Sequence, residues 1–307
     1  MASETGTDPD RCTPQGVSYS TVPHIVNSDG QYLYCRTWEP NQKLRALLFL
    51  SHGRGSHCGV LGPILAQLLN NHGFLVFGHD HVGHGQSEGE RLCVENFDIL
   101  ARDILQHVDV MRARYPDVPI FLLGHSMGGC AAIVAACKRP GQFAGMVLTS
   151  PAIENAVTCS YSFVCYRALV WVVSKILPNM EQWGLCPDQL TKDNEKLKTY
   201  VEDPLVSQGV RTMRIGMKFL YGMLATQSLL PEVDCPFLVL HGGDDEVVDV
   251  SGSWKLYHQA RSQDKQIKVY PNCRHVLLLE TPEDVEMVKQ DILDWLLARL
   301  NPEKKST

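Results

Sequence analysis

The sequence has no excess of basic charge, no C-x-x-C pair and no apolar run long enough to cross a bilayer. Lys and Arg number 28 against 34 Asp and Glu, a net charge of −6. Without a positive field to collect a polyanion, no nucleic-acid partner is expected. The 11 cysteines are an odd, scattered set from Cys12 to Cys273. They lack the spacing of a disulfide framework or a zinc site and read as reduced thiols in the cytosol. The opening MASETGTDPD is polar and acidic where a signal peptide has a basic start and an apolar run, so secretion is not expected. The most apolar stretch, 163–177, is interrupted by Arg167, Ser174 and Lys175 and falls short of the roughly 20 residues a membrane span needs. There is no internal repeat and no low-complexity segment, and only the two termini read as disordered.

What remains is the balance of an ordinary globular protein: 307 residues, 44% hydrophobic and 20% charged. Asn27-Ser28-Asp29-Gly30 separates 23–26 from 31–38 and predicts an antiparallel hairpin. Short apolar runs then follow at 46–50, 74–77, 120–123, 146–148, 237–240 and 267–270, each suited to a buried parallel strand. Helical patterns lie between them. Phe97, Leu100, Ile104, Val108, Met111 and Tyr115 mark one face of an amphipathic helix. Thr281, Pro282, Glu283 and Asp284 are a helix start, followed by Val285, Val288, Ile292 and Trp295. Strands alternating with helices imply a mainly parallel sheet covered on both faces. Between 151 and 230 the alternation gives way to helical, apolar sequence, which reads as an inserted helical cap between a first core part, 1–150, and a second, 231–307.

Gly124-His125-Ser126-Met127-Gly128 follows a predicted strand and precedes an Ala-rich helical segment at 129–137. This is the strand-turn-helix context of the G-x-S-x-G turn, which lifts a nucleophilic serine above the sheet of the α/β-hydrolase fold. A serine hydroxyl needs a neighbouring base and an acid to orient that base, and in this fold they follow later in the chain. His275 lies just beyond the last strand and is the candidate base. Asp245, beyond the strand at 237–240, is the candidate acid, with Asp244 next; Asp249 better suits capping a helix that begins near Ser253. For the oxyanion, the amide after the serine is that of Met127, and the loop 51–57 offers the amide of Arg54. His79-Asp80-His81-Val82-Gly83-His84 has the residue types of a metal site, but its position at a strand end with turn glycines reads as a structural turn; no metal is expected.

With these motifs assembled, the chain resembles the monoacylglycerol lipase (monoglyceride lipase) family over nearly its whole length. The resemblance is carried by His24-Ile25-Val26-Asn27, HDHVGHGQSEGER at 79–91, LLGHSMGG at 122–129, PGQFAGMVL at 140–148, Asp203-Pro204-Leu205 and Ser262-Gln263-Asp264-Lys265. It implies cleavage of the ester bond of a monoacylglycerol to fatty acid and glycerol, with no cofactor or metal. It places the family's serine, aspartate and histidine on Ser126, Asp245 and His275 and its oxyanion donors on Arg54 and Met127. The sequence departs from the family pattern at the glycerol end, where Arg54, Ser56, Val60 and Leu278 stand in place of the usual residues. Together with His125 and Tyr200, Ser56, Val60 and Leu278 are the candidate substrate contacts. A carboxylesterase, a lysophospholipase and an acyl-thioesterase share the same triad chemistry, and a non-catalytic lipid-binding relative is a further alternative. The apolar side chains Phe163, Val164, Tyr166, Leu169, Val170, Trp171, Val173, Ile176 and Leu177 exceed what one buried helix face needs, and Arg167 and Lys175 flank them. They predict an acyl entrance resting on a membrane surface, and hence a cytoplasmic, peripherally membrane-associated protein with a lipid substrate.

Overall fold

The computed structural model describes residues 11–154, 171–174, 176–182, 186–207 and 211–300. Eight strands form the central sheet: β1 His24–Val26, β2 Tyr32–Trp38, β3 Ala46–Ser51, β4 Phe74–His79, β5 Ile120–His125, β6 Gly145–Thr149, β9 Phe237–Gly242 and β10 Lys265–Tyr270, in the order β1-β2-β4-β3-β5-β6-β9-β10. A separate two-residue ladder pairs β7 Glu181–Gln182 with β8 Arg211–Thr212. β1 and β2 are antiparallel, as is β2 to β4, while every pair from β4 to β10 is parallel. At the hairpin tip the Asn27 side chain accepts the N–H groups of Asp29 and Gln31, the local bonding that makes Asn a turn residue.

The sheet is buried on both faces, and β3 shows why. Leu47 and Phe49 enter one apolar cluster, with the helices α2 Phe97–Arg114 and α3 Met127–Lys138. Ala46, Leu48 and Leu50 enter the other, with α1 Cys58–Leu69 and the C-terminal helix α7 Pro282–Leu300. Alternate residues of a strand point to opposite faces, so a strand covered on both sides is apolar throughout. The helix faces expected from periodicity are buried: Phe97, Leu100, Ile104, Val108 and Met111 on α2, and Val285, Val288, Ile292 and Trp295 on α7.

Three local expectations are corrected. β10 alternates between half-buried and exposed positions up to its buried last residue, Tyr270, since it pairs only with β9 and forms the sheet edge. α3 begins at Met127, directly after the serine. Helix α6 spans Val250–Gln259 and starts three residues before Ser253; Asp249 caps it by accepting the Ser251 N–H.

Between β6 and β9 the described residues hold no strand of the main sheet; they include α4 Asn194–Glu202 and α5 Met213–Leu229. α5 lies on α2, with the Phe219 and Phe97 rings 5.4 Å apart edge to face. Phe163, Val164, Tyr166, Arg167, Leu169, Val170 and Lys175 lie outside the described residues. Among the described residues no helix is long and apolar enough to cross a membrane.

Candidate active site

Ser126 sits between the end of β5 and the first residue of α3 with φ 54° and ψ −118°, a backbone conformation that L-residues rarely adopt. The turn is tight because its glycines are in backbone contact. A Cβ on Gly128 would stand 2.1 Å from the Ser51 carbonyl oxygen, and one on Gly124 would stand 2.5 Å from the Gly128 oxygen. Any side chain there would force β3, β5 and α3 apart.

His275 and Asp245 reach the serine from the loops after β10 and β9. Ser126 Oγ lies 3.0 Å from His275 Nε2, and His275 Nδ1 lies 2.7 Å from Asp245 Oδ2. A carboxylate can only accept, so His275 carries its proton on Nδ1 and turns the Nε2 lone pair to the serine hydroxyl. In this geometry the imidazole can take the hydroxyl proton as Oγ attacks an electrophile. Asp245 Oδ1 accepts the N–H groups of Val247 and Val248, both at 2.9 Å. Burial by itself raises the Asp245 carboxyl, but the charge of His275 and hydrogen bonds from His241 and His275 outweigh it and hold the group well below the usual carboxylate range. Asp244 is exposed and pairs with Lys192 at 2.8 Å, away from the histidine.

The loop after β3 lies against the serine: a Cβ on Gly53 would be 3.0 Å from the His125 ring and 3.4 Å from the Ser126 Cβ. Two bonds strap this loop to the segment after α4. His57 caps α1 by accepting the Gly59 N–H at Nδ1, which leaves Nε2–H to donate to Asp203 Oδ2 at 2.9 Å; the Ser207 N–H donates to the Gly55 carbonyl at 2.8 Å. The Arg54 guanidinium packs over the Phe219 ring of α5, 5.0 Å from its centre. Met127 opens α3, so its N–H has no acceptor within the helix.

The remaining candidate contacts divide into three places. His125 is buried beside His275, ring centres 5.0 Å apart, with Nδ1 against the Thr149 carbonyl and hydroxyl. Burial and the neighbouring His275 push its pKa down to about 3, so it stands there as a neutral ring. Leu278, in the turn after His275, is part of the apolar core on the α1 and α7 face of the sheet, and Val60 of α1 and Tyr200 of α4 pack against the edge of that core. Ser56 is buried on the loop after β3 and is not part of that core.

Sequence reasoning missed two residues that hold the site. His241, at the end of β9, lies 3.3 Å from Asp245 Oδ2 and is fully buried. Its only signal is a position four residues before Asp245, near the end of the strand that leads into the Asp245 loop. Glu280, also fully buried, accepts the Arg274 N–H at 2.5 Å and the Lys192 N–H at 3.0 Å, and thereby ties the His275 loop to the segment before α4. Nothing local in the sequence marks it.

Among the described residues one group has the ligand chemistry of a metal site: His52, Cys58 and Asp80, all buried. Its atoms are already committed. The Asp80 oxygens accept the N–H groups of Cys58 and Gln86, His52 Nε2 accepts from the His81 N–H, and the Cys58 thiol donates to the His79 carbonyl.

Residues 42–282 match the family model described as "Serine aminopeptidase, S33". A monoglyceride lipase of mouse (Mus musculus) is 43% identical over 291 residues, covering 94% of this chain and 95% of its own. The chain belongs to the monoglyceride lipase family. A monoglyceride lipase homolog of monkeypox virus is 35% identical, with 90% of this chain and 98% of its own length covered. Among solved structures, the monoacylglycerol lipase of Paleococcus ferrophilus superposes with a TM-score of 0.72 at 29% identity, covering 87% of this chain and 99% of the other. This family member is therefore a hydrolase of α/β-hydrolase fold.

Proposed function

We propose that this chain hydrolyses the ester bond of long-chain monoacylglycerols through an acyl-enzyme on Ser126. One observation carries the reading: the Ser126 hydroxyl lies 3.0 Å from His275 Nε2, whose other nitrogen is held by Asp245, in a chain similar along its length to the mouse monoglyceride lipase. Ser126 Oγ attacks the ester carbonyl while His275 Nε2 takes its proton. The N–H groups of Met127 and Arg54 receive the oxyanion, and His275 then protonates the departing glycerol oxygen. A water molecule, deprotonated by His275, attacks the acyl-enzyme and releases the fatty acid.

The cap, 151–230, is assigned the acyl chain and the membrane contact. The side chains of Trp171, Ile176, Leu177 and Met180 are exposed, and Val173 beside them packs on Met213 and Met217 of α5, so the patch is anchored to the same helix that Arg54 covers. At the alcohol end, the Arg54 guanidinium, carried on the loop that lies against Ser126, supports a second reading, in which the leaving group is an anionic lysolipid head.

One experiment separates them. Hydrolysis of a monoacylglycerol, a lysophosphatidic acid and an acyl thioester of one chain length is compared by kcat/KM for wild type, Ser126→Ala and Arg54→Ala. Monoacylglycerol is expected to lead, with Ser126→Ala losing several orders of magnitude and its fluorophosphonate labelling. A selective loss on lysophosphatidic acid in Arg54→Ala, from a wild type that prefers it, replaces the first reading by the second.

A further inference from the structure

The Asp245 carboxylate faces two imidazoles. His275 Nδ1 approaches Oδ2 at 2.7 Å, and His241 Nε2 approaches the same oxygen at 3.3 Å. The tautomer of His241 follows from its neighbours. Its Nε2 is 3.1 Å from the Val248 carbonyl, which can only accept, so Nε2 carries the hydrogen. Its Nδ1 is then an acceptor and takes the Ser253 hydroxyl at 2.7 Å, from α6. The Nε2–H is thus aimed at the Val248 oxygen and the Asp245 oxygen together, a shared bond from the end of β9 to the loop that follows it. With the two backbone N–H groups on Oδ1, every approach to the carboxylate is an N–H.

We infer that His241, held in one tautomer by the Val248 carbonyl, is a positioning residue of the triad: it shares Asp245 Oδ2 with His275, fixes the carboxylate in register and limits how strongly Asp245 pulls on the His275 proton. The inference deepens the proposed acyl-transfer chemistry and rests on it. A carboxylate that spends part of its charge on a second donor is a weaker partner for an imidazolium. Losing that donor therefore concentrates the charge on His275 and makes His275 a stronger base. Among the described residues, the other titratable groups around this cluster include His125, packed on the His275 ring, Arg274 and Glu280 in the His275 loop, and the exposed Lys192–Asp244 pair beyond it. None of them is changed by the variants below.

The test is the pH profile of kcat/KM on a monoacylglycerol, measured with thermal unfolding for each protein. Wild type is expected to show an acid limb from His275. In His241→Leu and His241→Phe that limb should move to higher pH by about one unit, the size expected of one hydrogen bond to a charged group. His241→Gln, whose amide N–H reaches the same place, should restore the wild-type limb. A merely structural role would lower activity and melting temperature without moving the limb. Folded variants whose limb coincides with wild type overturn the inference while leaving the triad standing. If His241→Leu does not fold, His241→Phe decides, because it keeps a ring of similar size and removes only the donor. A wild-type profile with no acid limb would instead overturn the triad reading, and this inference with it.

Discussion

At Ser126 a single residue holds a left-handed backbone because everything around it leaves no alternative. The carbonyl ends of β3, the Gly124 turn and the first turn of α3 meet within backbone contact distance. Gly128→Ala tests this directly. Its new Cβ would meet the Ser51 and His52 carbonyl oxygens at 2.1 and 2.6 Å, and neither is a side chain that can rotate aside. The expected cost is roughly 1–3 kcal/mol or more of stability, as for overpacked cores. Esterase activity should fall further than stability, since the atoms that must move carry the loop against Ser126. Urea unfolding and kcat/KM on one ester substrate measure both; a variant with wild-type activity would show that the turn has slack. At this scale the sequence was informative where chemistry is local. G-x-S-x-G and the order Ser, Asp, His singled out residues that lie within hydrogen-bond distance. It was silent on His241 and Glu280, whose importance is a matter of which atom faces which across a fold.

At the scale of elements, periodicity located α2 and α7 and the faces they bury, because an apolar stripe every three or four residues has one stable use. It misplaced the starts of α3 and α6 and read β10 as buried, because helix starts depend on capping bonds and strand burial depends on neighbours. The segment around 171–180 has the clearest element-scale consequence. Trp171, Ile176 and Leu177 are all exposed, Ile176 at 70%, which an isolated protein in water gains nothing from. Replacing Trp171, Ile176 and Leu177 together by serine should reduce binding to phosphatidylcholine vesicles in a sedimentation assay, and leave turnover of a water-soluble short-chain ester near wild type. Equal sedimentation of wild type and variant would remove the membrane role from this surface.

At the scale of the molecule, burial makes the fold acid-sensitive. His52, His79, His81, His84, His107 and His125 are buried, and burial lowers the pKa of each, to about 4 for His84 and His107. A histidine lowered in the folded state stays neutral there while the unfolded chain takes up a proton near pH 6.5. Its contribution to stability is thus complete above that pH and is lost as pH falls toward 4, at up to about 1.4 kcal/mol per pH unit for each group. Asp80 and Asp103 are shifted upward by burial and act in the opposite sense, but they are two against six. The melting temperature is expected to fall steeply between pH 6.5 and 4; a flat profile over that range would mean that these imidazoles are protonated or solvated in the native protein.

The sequence by itself determined the layered α/β architecture, the family and the residue types of the site, because apolar periodicity, the glycines of a tight turn and the chain order of Ser126, Asp245 and His275 are properties of the linear chain. Only the tertiary structure decided that Asp245 rather than Asp244 faces His275, that the Arg54 guanidinium lies on Phe219, and that Val60 and Tyr200 pack against the core that contains Leu278. The reason is physical. His275 lies 149 residues from Ser126 and 30 from Asp245, so their contacts are set by how sheet and helices pack, and no local pattern encodes which way a side chain turns once they do.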